Sequence, residues 1–128
     1  MESVWQIISR ETNGVLTDAF IMKFDRHLDW RLLSENYNFS IYMLRVYQHR
    51  VSWVVVLKKT QFPESFLREM AHNFNNCWFA VSKYQYLSES FVRDFADQLD
   101  WYYILKYQTV SKHCLEEHTQ YIERDAVG

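Results

Sequence analysis

The segment WFAVSKYQYLSESFVRDFADQLDW, residues 78–101, opens and closes on tryptophan, and the reading of the whole chain turns on it. Both rings belong to a series. The tryptophans are Trp5, Trp30, Trp53, Trp78 and Trp101, separated by 25, 23, 25 and 23 residues, and no tryptophan lies outside it. A fixed period of about 24 residues is the signature of a repeat protein, in which each repeat is one supersecondary element that buries its apolar face against its neighbours.

Other columns keep the same register. Three residues after each tryptophan stand Ile8, Leu33, Val56, Val81 and Ile104. Leu16, Phe39, Phe62, Leu87 and Val110 each precede Thr17, Ser40, Pro63, Ser88 and Ser111, residue types that start helices. Three residues beyond these lie Phe20, Met43, Phe66, Phe91 and Cys114. Steps of four then reach Phe24, Tyr47, Met70, Phe95 and His118, and Leu28, Val51, Phe74, Leu99 and Ile122. The pattern predicts, in each repeat, a short helix starting near the tryptophan, a brief connection, and a capped helix of roughly twelve residues with an i, i+4, i+8 apolar stripe.

The reading is therefore all-α: one domain over residues 1–128, built as a small solenoid-like array of five two-helix repeats spanning about residues 5–29, 30–52, 53–77, 78–100 and 101–124. The longer spacings place two-residue insertions in the turn at residues 12–15, which contains Gly14, and around Asn75 and Asn76. Trp53-Val54-Val55-Val56-Leu57 alone reads as a buried strand. The column register overrides it, because valine in a helix costs only a few tenths of a kcal/mol per residue. Residues 53–59 are thus predicted helical.

Composition agrees. Two glycines and one proline are too few for the turns of an all-β fold, and the 18% aromatic share points to an aromatic core. Net charge is −2, but residues 1–35 carry −2, residues 36–85 carry +4 and residues 86–128 carry −4. Cys77 and Cys114 are too few for a disulfide framework, and no window has the apolar length of a membrane span. The start of the chain has no basic stretch followed by an apolar one. A soluble, unprocessed protein of a reducing intracellular compartment is expected.

Trp78-x-x-Val81-Ser82-Lys83-Tyr84-Gln85-x-Leu87-Ser88-Glu89-x-Phe91, followed by Phe95 and Leu99-Asp100-Trp101, resembles the Trp- and Phe-marked helical repeats of proteins from large double-stranded DNA viruses that infect amoebae. The resemblance covers nearly the whole chain and is strongest over residues 62–108. Before Phe39 only a skeleton remains, carried by Ile8-Ser9 and Thr17-Asp18-Ala19-Phe20. It implies a virus-encoded protein acting in the cytoplasm or nucleus of an infected cell, or packaged in the virion. It brings no catalytic residues.

Arg45, Arg68 and Arg93 share one column, and Lys58, Lys83 and Lys106 another, so stacking would form basic ladders suited to phosphates or acidic partners. Glu64 to Arg68 and Glu89 to Arg93 are also i, i+4 pairs that would hold their charge within one helix. Tyr37, Tyr84, Tyr86, Tyr102, Tyr103 and Tyr107 fall mainly outside the core columns, where tyrosines either anchor interfaces or cover core ends. Cys114 and His118, flanked by His113 and Glu117, have metal-ligand spacing, but they occupy core columns and lack an obvious further ligand beyond Cys77. His27, His49, His72, His113 and His118 form no catalytic set, and glycine-rich phosphate loops, nucleophile elbows and HExxH are absent.

The expectation is a non-enzymatic protein-binding or scaffolding module, without cofactor or metal, that docks a host or viral protein and is capable of self-association. Its candidate binding surface is Arg45, Arg50, Lys58, Lys59, Arg68, Lys83, Arg93, Lys106, Tyr84 and Tyr107. The alternative is a nucleic-acid-binding protein that uses the basic central repeats. Trp30, Trp53, Trp78 and Trp101 should be buried and Trp5 more exposed, since each of the four joins one repeat's apolar helix to the next.

Overall fold

The computed structural model describes residues 1–11, 14 and 16–126, which contain helices and no strand. The chain divides into two compact units, Met1–Val56 and Leu57–Gly128. The first contains α1 (Val4–Ser9), α2 (Asp18–Lys23), α3 (Trp30–Asn36) and α4 (Ile41–Val46); the division falls within α5 (Trp53–Lys59). The second contains α6 (Glu64–Met70), α7 (Trp78–Tyr84), α8 (Glu89–Asp94), α9 (Trp101–Tyr107), α10 (Lys112–Glu117) and α11 (Thr119–Asp125). Four helices begin on a tryptophan of the series, and α1 begins one residue before Trp5. Trp53–Lys59 is helical as predicted.

The start signals act as read. The hydroxyls of Thr17, Ser40, Ser88 and Ser111 accept the N–H of Phe20, Met43, Phe91 and Cys114, each at 3.1 Å. Such a cap contributes about 1 kcal/mol. Pro63 stands at the same position before α6 without a side-chain bond, its φ of −60° already suited to a helix start. Asp29 and Asp100 cap α3 and α9 through the N–H of Leu32 and Tyr102. Gly14 has φ +83°, a left-handed value open to glycine, whereas Thr12, Asn13 and Val15 of the same expected turn lie outside the described residues.

The second helix of each repeat is shorter than the apolar stripe suggested. Helices α2, α4, α8 and α10 have six residues and α6 has seven, not roughly twelve. Diverted hydrogen bonds then hold the turns that follow α2, α4 and α8. In a continuing helix the carbonyls of Asp25, Gln48 and Ala96 would accept from the N–H four residues on, those of Asp29, Ser52 and Asp100. Instead they accept the indole N–H of Trp30 at 3.0 Å, Trp53 at 2.8 Å and Trp101 at 2.9 Å. The released N–H groups go to the hydroxyls of Ser9, Ser34 and Ser82, at 2.7, 2.9 and 2.9 Å. Each of these serines also donates to the carbonyl of the tryptophan four residues before it. Tryptophan and serine together hold the turn after α2, α4 and α8 and set the start of the next helix. Where Leu57 stands in the serine column, α6 runs a residue longer and continues into a 3-10 turn at Ala71–Asn73, while the Cys77 N–H bonds to Phe74 instead.

Within the first unit α1 packs on α3, and within the second α7 packs on α9 and α9 on α11. Trp30, Trp53, Trp78 and Trp101 are buried, and Trp5 is half-buried, stacked on His27 at 4.7 Å. Leu33, Val56, Val81 and Ile104 are core, as are Leu28, Val51, Phe74 and Leu99. A further core column went unread: Ile21, Leu44, Leu67 and Val92, four residues after each helix start, are completely buried. Among the described residues no buried side-chain polar atom lacks a partner.

Candidate functional site

The basic side chains separate into two populations, and the arginines belong to the scaffold. Arg50 donates to the Asp25 carbonyl at 3.1 Å and lies over the Trp30 ring at 5.1 Å. Arg68 pairs with Asp94 at 2.7 Å and covers the rings of Phe91 and Phe95. Arg93 pairs with Glu117 at 3.6 Å. The i, i+4 pairing expected within α6 and α8 is replaced by bonds to the next repeat. Glu64 accepts from the Ser88 N–H at 2.6 Å and hydroxyl at 2.8 Å, and Glu89 accepts the same pair from Ser111 at 2.9 and 2.5 Å. A carboxylate that binds two fixed donors gains more than one that meets a mobile guanidinium in solvent, which is why the intrahelical pair loses. Arg45 is exposed on α4, and Lys58 and Lys59 are exposed at the end of α5.

The lysines of α7 and α9 meet aromatic rings. The Lys83 ammonium lies over Tyr84 at 5.1 Å, Tyr103 at 5.4 Å and Tyr107 at 5.9 Å. Lys106 lies over Tyr102 and Tyr107, both at 5.5 Å, and its Nζ is 3.5 Å from the Tyr102 hydroxyl. Tyr103 and Tyr107 stack with centroids 6.1 Å apart. The hydrogen bond with Tyr84 raises the Lys83 pKa above the ordinary lysine value, and that with Tyr102 does the same for Lys106. Both ammonium groups are charged at every physiological pH.

Four of the ten predicted surface residues, Lys83, Tyr84, Lys106 and Tyr107, are thereby brought together. Tyr102 and Tyr103, already read as tyrosines outside the core columns, complete the cluster. Tyr102 is 55% exposed and Tyr107 49%. Tyr86, at 81%, and Phe79 add exposed aromatic surface. Residues 77–88 and 101–111, which form α7, α9 and the connections after them, contain lysine but no carboxylate. Tyr37 is different: it gives its hydroxyl to Asp18, and burial followed by that bond pushes its pKa up to about 12.

Beside Lys106 an open cavity of about 340 Å³ lies between α9 and α11. Trp101, Tyr102, Leu105, Ile122 and Ala126 make its wall apolar, and among the described residues Asp125 is its one carboxylate. That carboxylate is engaged, accepting the Trp101 N–H at 2.9 Å and Arg124 at 2.8 Å. The Arg124 bond, supported by the Trp101 bond and opposed by burial, holds it below the usual aspartate range. A second, polar cavity of about 330 Å³ is lined in part by Asp97, Asp100 and Asp125, but Arg124 occupies its acidic side by binding the Asp97 and Leu99 carbonyls.

Cys114 and His118 are both buried. The Cys114 Sγ is 3.8 Å from His118 Nδ1, which sits 2.6 Å from the Cys114 carbonyl, and the imidazole stacks on Trp101 at 5.2 Å. His118 is the C-cap of α10 and fills the aromatic slot of its column. Among the described residues no group of three or more His, Cys, Asp or Glu is placed to hold a metal ion, and no helix is long and apolar enough to cross a membrane. Comparison with known proteins finds no matching family model, no matching curated protein and no matching solved structure.

Proposed function

We propose that the chain is a non-enzymatic protein-binding module whose helical repeats stack in a solenoid-like manner, and that α7 and α9 carry the docking face. The observation behind this reading is the Lys83, Lys106 and tyrosine cluster beside the apolar cavity. Tyrosine combines contact area with low entropy loss, and exposed clusters of this kind are common interface anchors. Of the basic residues that the nucleic-acid alternative draws on, Arg50 and Arg68 bind groups of their own unit. Such groups must be released before they meet a phosphate.

The test is to isolate the tagged full chain from the cells that produce it and identify its companions by mass spectrometry, beside a chain carrying Tyr86→Ser, Tyr102→Ser and Leu105→Ser. Companions retained by the first and lost from the second support the reading. Identical companions from both chains, with the variant's circular dichroism unchanged, would overturn it.

A further inference from the structure

We propose that the α7–α9 face binds an acidic polypeptide segment, with an apolar side chain in the cavity between α9 and α11 and neighbouring carboxylates on Lys106 and Lys83. The proposal rests on the protein-binding reading and adds the chemistry of the partner. Three observations carry it.

The first is charge. Lysines 83 and 106 stand on short helices free of Asp and Glu, whereas Glu64 and Glu89, the carboxylates that follow the preceding helix starts, are consumed by Ser88 and Ser111. No carboxylate within either short helix competes for the two ammonium groups. A carboxylate can approach each from the side away from the ring, so the cation–π contact survives and the lysine is already ordered.

The second is the cavity. It adjoins Lys106, its walls are Trp101, Leu105 and Ile122, and its volume of about 340 Å³ has room for an apolar side chain. A peptide can present such a side chain next to a carboxylate along one backbone.

The third observation decides against a single nucleic-acid strand. Strand binding of that type stacks successive bases on open ring faces. Here Lys83 covers faces of Tyr84, Tyr103 and Tyr107, and Tyr103 and Tyr107 stack on each other. Beside these partly covered rings the face presents two ammonium groups and an apolar hollow.

The experiment is fluorescence anisotropy of the full chain with a short labelled peptide of alternating leucine and glutamate. A leucine–lysine peptide and labelled oligothymidylate serve as comparison probes. The acidic peptide should bind, more weakly as salt rises, and Lys83→Glu and Lys106→Glu should each weaken it about tenfold or more. Lys106 is exposed and Lys83 half-buried, and unchanged circular dichroism verifies that the variants fold. Equal binding of the basic peptide, indifference to both lysine substitutions, or tighter binding of oligothymidylate would overturn the proposal. If none of the probes binds while companions are still lost from the Tyr86, Tyr102 and Leu105 variant, the acidic partner is wrong and the protein-binding reading stands.

Discussion

The hydroxyl of Ser34 accepts the backbone N–H of Ser52 at 2.9 Å while donating its own proton to the Trp30 carbonyl at 2.6 Å. Ser82 does the same with Asp100 and Trp78, at 2.9 and 2.8 Å. One side chain thus satisfies two backbone groups in a place where water does not reach.

Ser34→Ala and Ser82→Ala should therefore each destabilise by about 1–3 kcal/mol, the cost of a buried donor left without a partner. The exposed Ser65→Ala and Ser90→Ala should stay within about 0.5 kcal/mol of the parent. Urea titrations measure the difference. Equal midpoints for the buried and exposed substitutions would show that the diverted hydrogen bond does not define the turn.

The buried Gln85 amide performs a related task. Its Nε2 donates to the carbonyls of Leu57 and Thr60, both at 2.7 Å, and its Oε1 accepts the Phe62 N–H at 3.0 Å. It closes the exposed end of α5 from one repeat further on, as Gln108 does for α7 through the Ser82 and Gln85 carbonyls. Gln85→Leu fills the same space but leaves these groups unpaired, and a loss of about 3 kcal/mol is expected. Exchange of the Phe62 amide hydrogen should accelerate in step; an amide that stays protected would place its partner elsewhere.

These bonds also mark where the sequence stopped being legible. Trp30, Phe66 and Leu99 reveal the period because apolar side chains at fixed spacing have one common explanation, a shared core. Ser34 and Gln85 sit in equally regular columns, but a serine inside a helix and a glutamine after it look ordinary until the backbone groups 18 and 28 residues away are known. Apolar spacing of four also continues past the ends of α2, α4 and α8 to Leu28, Val51 and Leu99, so it does not show where those helices stop. Lys83, Tyr84, Lys106 and Tyr107 were readable as a surface because they lie outside every core column. Arg68 and Arg93 were matched to the carboxylates four residues earlier on their own helices, whereas their ion pairs form with Asp94 and Glu117 of the next repeat.

Acid should act on the second unit through Asp125 and Glu89. The Asp125 carboxyl is held below its ordinary 3.8 by Arg124, and Glu89 is held below its ordinary 4.5 by its bonds from Ser111. A group whose folded pKa is depressed contributes stability above its unfolded pKa and loses that contribution as pH falls through the folded value. Stability should thus be level near neutral pH and decline below about pH 4. Asp125→Asn and Glu89→Gln should lower the neutral plateau and flatten the acid slope. Urea midpoints across that range provide the measurement, and slopes parallel to the parent's would remove both carboxylates from the account.

Tryptophan substitution separates ring burial from the indole hydrogen bond. Trp101 is completely buried, stacks on His118, and gives its N–H to the Ala96 carbonyl. Trp101→Ala removes the ring and opens a void, which should cost about 3–5 kcal/mol, a large part of the stability of a domain this size. Trp101→Phe keeps much of the apolar area but leaves the Ala96 carbonyl without its donor, so about 1–3 kcal/mol should be lost from that group, together with a smaller packing loss. Trp5→Ala, at a half-buried ring, should cost less than Trp101→Ala. Thermal melts and urea titrations of the three variants give the ranking. A Phe variant as stable as the parent would mean that the indole N–H is dispensable, and the turn before α9 would then have to be attributed to the Ser82 hydroxyl alone.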